Sequence, residues 1–594
     1  MRVRNIKHLL IAAALVLSNL PGFLDSGASI LAQTARQLPT QIEADQTPAD
    51  ITITGGFLQV TGTGDFNGDG VGDFLVRYER SAGNLGIIVF SKFGIIFGKR
   101  NPSQPITINL ETDEPDLSLT TKVKPPFGNS GITLLGDLNG DDIDDIGVIQ
   151  EPPLETGQLR ERKLKVIFGS SDLRPGVVDL DTVQPDLTVI FEKRVVPDGI
   201  TGVADVNGDG AKDLLLARNS SYISFAVPIL LGPFTAGETI DLGLQEPDVI
   251  IRANNVVDNI NRVFLADVNG DRITDVLIKK SRFDGQIGIY FTTLDVVFGS
   301  ASLKPGLEIS LSDGQADATV IVGFNFSVIS TGDVNADGID DILVGVPAYA
   351  GEPAPPPWFT GGVRVILGSS SMGGTVNQAD LFIDGLPSPL PLNPVFQTTL
   401  GDHLGESMEV RDINGDGVSD ILIGAPGVTS DRKGRVTYLS RAHIILGSTE
   451  ITHGTRIQTA RNQQDITISF DSKTGGVGRR VGSGDFNGDG LGDILVGSDG
   501  AAYVFFGGPL RAPEITKAKY RKGSSELLVF GTNFTGLARV EINGVVIDRE
   551  VTFEPESERL VLQGSESELN LHNGKNEVVV IRKGARSNAV KLKL

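Results

Sequence analysis

Short apolar runs of three to five residues recur along the chain, separated by polar turns rich in Gly and Asp. One set ends in Phe-Gly or Leu-Gly: GIIFG from Gly94, VIFG from Val166, ILLG from Ile229, VVFG from Val296, VILG from Val365, IILG from Ile444 and VFFG from Val504. A second set is led by an acidic residue: DITI at Asp50, DLSL at Asp116, DLTV at Asp186, DVII at Asp248, DATV at Asp317, DLFI at Asp380 and DITI at Asp465. Runs this short, β-prone and bounded by glycine turns predict strands. Their regular recurrence predicts a stacked or circular β array.

A third signal rides on the same period. The pattern Asp-x-Asn-x-Asp-x-x-x-Asp starts at Asp65, Asp137, Asp205, Asp267, Asp333, Asp412 and Asp485, with a mean spacing of 70 residues. Each repeat then reads as four strands: one entering the acidic loop, one leaving it, the run ending in Phe-Gly, and the Asp-led run outermost. Repeated four-stranded units are the material of a β-propeller. The first Asp-led strand, Ile51 to Ile53, precedes every acidic loop, and the last unit has none after Gly507. An N-terminal strand that completes the seventh blade would close the ring. The expected fold is therefore all-β: a seven-bladed propeller at 49–511, closed by an N-terminal strand.

Oxygen side chains at loop positions 1, 3 and 5, a backbone carbonyl at 7 and a carboxylate at 9 suit a hard cation. Ca²⁺ takes 6–8 oxygens in irregular geometry, whereas Mg²⁺ demands a tight octahedron. The expected ligands are Asp65, Asn67, Asp69, Val71 and Asp73 in loop 1, and Asp137, Asn139, Asp141, Ile143 and Asp145 in loop 2. Loop 3 offers Asp205, Asn207, Asp209, Ala211 and Asp213; loop 4 offers Asp267, Asn269, Asp271, Ile273 and Asp275. Asp333, Asn335, Asp337, Ile339 and Asp341 follow in loop 5, then Asp412, Asn414, Asp416, Val418 and Asp420 in loop 6. Loop 7 has Asp485, Asn487, Asp489, Leu491 and Asp493, so up to seven Ca²⁺ are expected. An EF-hand is excluded: its twelfth position is a Glu, and here that position is apolar in all seven copies, from Val76 to Val496. The competing reading is a set of metal-free Asx turns, in which three carboxylates would crowd into nine residues and repel. The usual glycine at position 6 is Asp142 in loop 2 and Arg272 in loop 4, so these two are expected to bind more weakly.

Charge sharpens the picture. The chain of 594 residues carries a net −22, which opposes nucleic-acid binding and favours cations as partners. Residues 1–33 and the segment from Ala512 each carry +2, so the propeller segment holds −26. With no cysteine there are no disulfides, thiolate sites or Cys nucleophiles. Arg2, Arg4 and Lys7, the apolar stretch Leu9 to Leu17 and the small residues near Ala28 and Ala32 have the layout of a secretory signal. Residues 1–33 are expected to be that signal and 34–48 a linker. The mature protein is expected to be secreted, at the cell surface or in a periplasm, without membrane insertion once the signal is cleaved.

The string GESMEVRDINGDGVSDILIGAP, Gly405 to Pro426, resembles the FG-GAP repeat of integrin alpha subunits, and the copy ending at Gly507 matches it nearly as well. The resemblance implies a seven-bladed propeller that binds Ca²⁺ in the loop between the first two strands of a blade. Copies one to four keep the loop but lose the Gly-Ala-Pro ending. Integrins usually carry such loops in a subset of blades, whereas all seven repeats have one here.

After Pro513 the acidic loops stop, and 512–594 alternates in the manner of a small β-sandwich. It resembles the IPT/TIG immunoglobulin-like domain, which implies a spacer or interaction module. No HExxH, nucleophile elbow or phosphate loop is present. Ligand contact is expected on loops opposite the cation face. The most distinctive is AYAGEPAPPPWFTGG, Ala348 to Gly362, with Tyr349, Trp358 and Phe359 as candidates. The expectation is a non-enzymatic, exported calcium-binding propeller for adhesion or for an extracellular protein or glycan ligand. The alternative is a polysaccharide-active lyase or hydrolase, which requires a His, Tyr and Arg cluster near the central channel.

Overall fold

The computed structural model describes residues 37–44, 46–82, 87–120, 132–150, 162–191, 202–216, 226–253, 258–284, 289–321, 328–347, 361–386, 402–430, 436–438, 440–470 and 476–594. The described residues form strands, turns and a few short 3-10 turns. The fold is a β-propeller followed by two further sheets.

Among the described residues, seven sheets of five strands each contain one acidic loop and are numbered by it. Sheet 1 shows the plan. Phe57–Gly64, Asp73–Ala82, Ile87–Ile96 and Leu117–Thr120 run antiparallel in order, and Gly176–Asp179 adds at the edge in parallel. The sequence reading of four strands per unit is thus corrected to five. The fifth strand belongs in sequence to the following repeat, where it lies between that repeat's third and fourth strands. Each repeat therefore lends one strand backward to its neighbour.

The same rule governs the seam. The fifth strand of sheet 6 is Gln41–Glu43, parallel to Ile466–Ser469. The fourth strand of sheet 7 is Ile51–Thr54, antiparallel to Ala501–Phe505, and it carries Ile106–Asn109 as the fifth. Two N-terminal strands, rather than the one expected, complete the last two sheets. The first of them falls within 34–48, the segment expected to be a linker.

Apolar side chains of consecutive sheets pack face to face, giving one buried cluster for each neighbouring pair. The cluster joining sheets 7 and 1 includes Ile51, Ile53, Phe74, Val76, Phe486 and Val504, with Phe74 and Phe486 stacked at 4.3 Å. The innermost strands, beginning at Phe57, Ile132, Gly202, Asp258, Val328, Met408 and Arg480, touch their neighbours in turn, the seventh touching the first.

Beyond Pro513, two sheets enclose a single apolar core that includes Leu527, Val529, Phe534, Val540 and Val580. This unit rests on the turns that follow the third strand of sheet 6 and the fifth strand of sheet 5. Lys583 donates from Nζ to the Leu446 carbonyl (3.0 Å) and to Ser448 Oγ (3.2 Å). Arg539 pairs with Glu450 at 3.2 Å, and Arg461 with Glu550.

Candidate functional site

Each acidic loop joins the first and second strands of its sheet. Loop 7 illustrates the wiring. Asp485 Oδ1 accepts the Gly488 N–H (2.7 Å) and Oδ2 accepts that of Gly490 (2.7 Å). Asn487 Oδ1 accepts from Asp489 N–H (2.8 Å), and Asp489 Oδ1 accepts from Leu491 N–H (2.9 Å). Two left-handed residues make the turn. Position 4 has φ between 64° and 81°, and position 6 between 66° and 88°. Asp142 (66°), Arg272 (70°) and, at position 4, Ala336 (64°) adopt this conformation alongside the glycines. The substitutions at position 6 therefore leave the turn unchanged.

The ninth aspartate behaves differently. Asp73, Asp145, Asp213, Asp275, Asp341, Asp420 and Asp493 are wholly buried. In every loop its Oδ2 accepts the N–H of position 2, at 2.8–3.0 Å. Its Oδ1 accepts the N–H of the glycine that ends the third strand, also at 2.8–3.0 Å. The Asp that leads the outer strand binds the preceding residue: Asp116 Oδ2 accepts the Phe97 N–H, and the same bond recurs in all seven sheets. Two carboxylates thus clamp the two amides of each Phe-Gly or Leu-Gly pair.

The glycine has its own reason. A Cβ at Gly98, Gly169, Gly232, Gly299, Gly368, Gly447 or Gly507 would lie 2.2–2.4 Å from the carbonyl oxygen of loop position 8. The three sequence signals are therefore parts of one hydrogen-bonded joint.

Neighbouring loops also interlock. Among the described residues, in six of the seven neighbouring pairs, all but loops 2 and 3, the N–H at position 8 donates to the carbonyl of position 1 in the preceding loop, as in Asp144 to Asp65 (2.9 Å), Ser419 to Asp333 (3.0 Å) and, across the seam, Gly72 to Asp485 (2.6 Å). In loops 2 and 5 the side chain joins in: Asp144 Oδ2 accepts the Asp65 N–H, and Asp340 Oδ2 that of Asp267. Sequence reasoning had assigned these two residues no role. At Gly68, Gly208, Gly270, Gly415 and Gly488 the position-7 side chain of the next loop lies over the position-4 glycine, so a Cβ on Gly68 would meet Ile143 Cδ1 at 2.6 Å, whereas Gly140 has open space.

Electrostatically the loops are crowded. Burial pushes Asp73, Asp145, Asp275 and Asp341 up to about 7, Asp213 to about 6, and Asp420 and Asp493 to about 8. The backbone donors oppose that rise, while the carboxylates at positions 5 and 1 add to it. As a donor set, carboxylate, amide and carbonyl oxygens match a hard cation and contain nothing soft. Each ionised carboxylate has about four lone-pair sites, so a carboxylate bound to backbone N–H groups retains acceptor capacity. In this conformation the side chains turn onto the loop's own backbone. Among the described residues no three Asp, Glu, His or Cys side chains converge as a metal cage.

The position just before the loop carries one irregularity. The residue before each loop is Gly64, Gly136, Ala204, Ala266, Gly332 or Gly484, but in sheet 6 it is Arg411. Arg411 is exposed, and its charge opposes the burial that raises Asp144 of loop 2. Glu409, two residues earlier, is pushed up to about 7 by burial, with Arg411 opposing. The innermost strands contain no His or Tyr among the described residues. His443 is buried in sheet 6, with Nδ1 3.1 Å from Thr467 Oγ1. Tyr349, Trp358 and Phe359 lie outside the described residues, as do residues 1–33. No helix among the described residues is long and apolar enough to cross a membrane.

The FG-GAP repeat profile matches residues 325–354, 404–439 and 477–505, stretches that contain acidic loops 5, 6 and 7. Integrin alpha pat-2 of Caenorhabditis elegans is 29% identical over 231 residues, covering 36% of this chain and 17% of that protein. The phosphatidylinositol-glycan-specific phospholipase D of Mus musculus is 29% identical over 171 residues, covering 29% of this chain and 18% of the enzyme. The chain thus spans less than a fifth of the length of either relative. Among solved structures, the Dos1 propeller aligns with 80% of this chain and 93% of its own, at 10% identity and a TM-score of 0.30. Three stretches of the β-propeller chain thus match the FG-GAP repeat.

Proposed function

We propose that this chain is an exported seven-bladed propeller whose loops hold Ca²⁺ and whose opposite face binds an extracellular protein or glycan in adhesion. The observation that carries the reading is the sevenfold acidic loop, present in every sheet and interlocked with its neighbours. The side chains at positions 1, 3, 5 and 9 and the carbonyl at position 7 would hold the ion, and the bound ion would neutralise the carboxylates that now raise one another. Rigidity of this face would then fix the scaffold from which ligand-binding loops project. Tyr349, Trp358 and Phe359 are the proposed contacts. The similarity to integrin alpha subunits supports an adhesive or ligand-binding role, and the C-terminal two-sheet unit fits an IPT/TIG-like spacer or interaction module.

The test is a glycan array and a cell-surface pull-down, each run with Ca²⁺ and with chelator. Calcium-dependent capture of a defined ligand, lost in a Trp358→Ala variant, supports the reading. Capture that ignores both chelator and the variant counts against it.

A second reading, a glycan-active enzyme on this scaffold, draws on the similarity to a phospholipase D. The His and Tyr of the expected cluster would come from outside the innermost strands, whose described residues include neither. Depolymerisation of any array-positive glycan would move the weight to it.

A further inference from the structure

The C-terminal sandwich has a rim that its own folding does not explain. Strand Glu514–Arg521 of one sheet and strand Val590–Lys593 of the other lie side by side. Ile515 and, past a bulge at Thr516, Ala518 and Tyr520 turn toward the core, as does Leu592 on the other strand, so Lys517, Lys519, Lys591 and Lys593 face solvent, all exposed. Lys575 stands directly opposite Lys593 in the antiparallel ladder. Like charges facing each other across a ladder are destabilising.

Among the described residues none of these five lysines forms an ion pair, although the chain has a surplus of 22 acidic residues. The other basic residues of the domain are engaged. Arg521, Lys522, Arg539, Arg549, Arg559 and Arg586 pair with carboxylates, and Arg582 and Lys583 bond carbonyls at the propeller contact. Glu577, opposite Lys591, and Glu514 are the acidic neighbours, which leaves the rim at +3. A local breach of charge complementarity with no folding return is what a functional surface costs.

We propose that this rim binds an acidic polysaccharide. The occupant follows from the charges: extended, flexible lysine heads along two strand edges suit a chain of repeating anions better than one fixed bidentate partner. They sit on a domain of net +2 that packs beside a propeller segment of −26. The site is independent of the calcium loops, so the inference stands or falls apart from the function proposed above.

The test measures binding of the mature chain to immobilised dextran sulfate and to unmodified dextran, at low and high salt, with Ca²⁺ and with chelator. The expected result is sulfate-specific binding that high salt weakens at least tenfold and that survives chelation. The variant K517Q/K519Q/K575Q/K591Q/K593Q should bind at least tenfold more weakly, with a melting temperature equal to or above that of the parent. No binding at low salt, or an unchanged affinity in the variant, overturns the proposal. Sedimentation adds a further arm: salt-sensitive self-association that the variant abolishes would assign the rim to a second copy's acidic propeller and equally overturn it.

Discussion

Asp50 Oδ2 accepts the backbone N–H of Phe506 at 2.8 Å, joining the start of the propeller to its end. The same bond joins Asp116 to Phe97 within sheet 1. The seam is therefore built like every other joint, from residues that sit at opposite ends of the chain. Replacing Asp50 with Ala leaves the Phe506 amide without its charged acceptor, and bonds to charged groups contribute about 1.5–3 kcal/mol. Chemical denaturation should show a loss of that order, against almost none for an exposed residue such as Asp172. A change within error for both would mean that the seam contributes no stability.

Glycine at the end of the third strand should be irreplaceable for steric rather than conformational reasons. A Cβ at Gly447 would lie 2.3 Å from the Ser419 carbonyl, so Gly447→Ala should cost about 2–3 kcal/mol through forced backbone displacement. Gly140→Ala meets no atom within 4 Å and suffers only its φ of 81°, a cost of about 1–2 kcal/mol. Thermal melts of the pair check the order, and equal losses would refute it.

His443 should confer acid sensitivity. Burial, with Arg441 adding to it, depresses its pKa to about 3 from an ordinary 6.5. A depressed folded value means that the unfolded chain takes up the proton first. The contribution is whole above about 6.5 and declines as pH falls toward 3, by about 1.4 kcal/mol per pH unit. In His443→Leu this dependence should vanish, so the stability gap between variant and parent should move in the variant's favour as pH drops from 6.5 to 4. A gap that is flat over that window would contradict the assignment.

Lys583 should hold the C-terminal domain to the propeller. Burial raises the Asp465 carboxyl, while Lys583 and Arg582 oppose that rise. Lys583→Met removes one of the two cations and both bonds to the turn after the third strand of sheet 6. Uncompensated buried charge costs about 3–5 kcal/mol, and with Arg582 remaining the expected loss is about 2 kcal/mol. Limited proteolysis near Arg511 should accelerate in the variant. Unchanged cleavage would show that the contact is incidental.

Much of this fold is written in the sequence because its signals are local and repeated. The runs after Asp116 and before Gly98, and the acidic loop between them, are seven-fold echoes of one joint. The fifth strands escaped notice for the opposite reason. Gly176–Asp179 is four residues long, partly exposed, and pairs in parallel with Leu117–Thr120 of the preceding repeat, so nothing in its own pattern names its partner. Asp73 was legible as an acidic loop residue, but its burial and its bond to Gly98 depend on a strand that arrives later in the chain. The fixed pairing of the ninth aspartate with a downstream glycine, repeated seven times, was the signal available. The lysine rim was hidden because it needs two strands from opposite ends of one domain.

Calcium binding by the seven loops, as proposed, is tested most directly by metal content together with thermal stability. Mature protein dialysed against Ca²⁺ should hold up to seven ions per chain. Its melting temperature should fall on chelation and recover with Ca²⁺ but not with Mg²⁺. A protein that binds no calcium and melts identically in chelator would contradict the account and leave the loops as hydrogen-bonded turns alone.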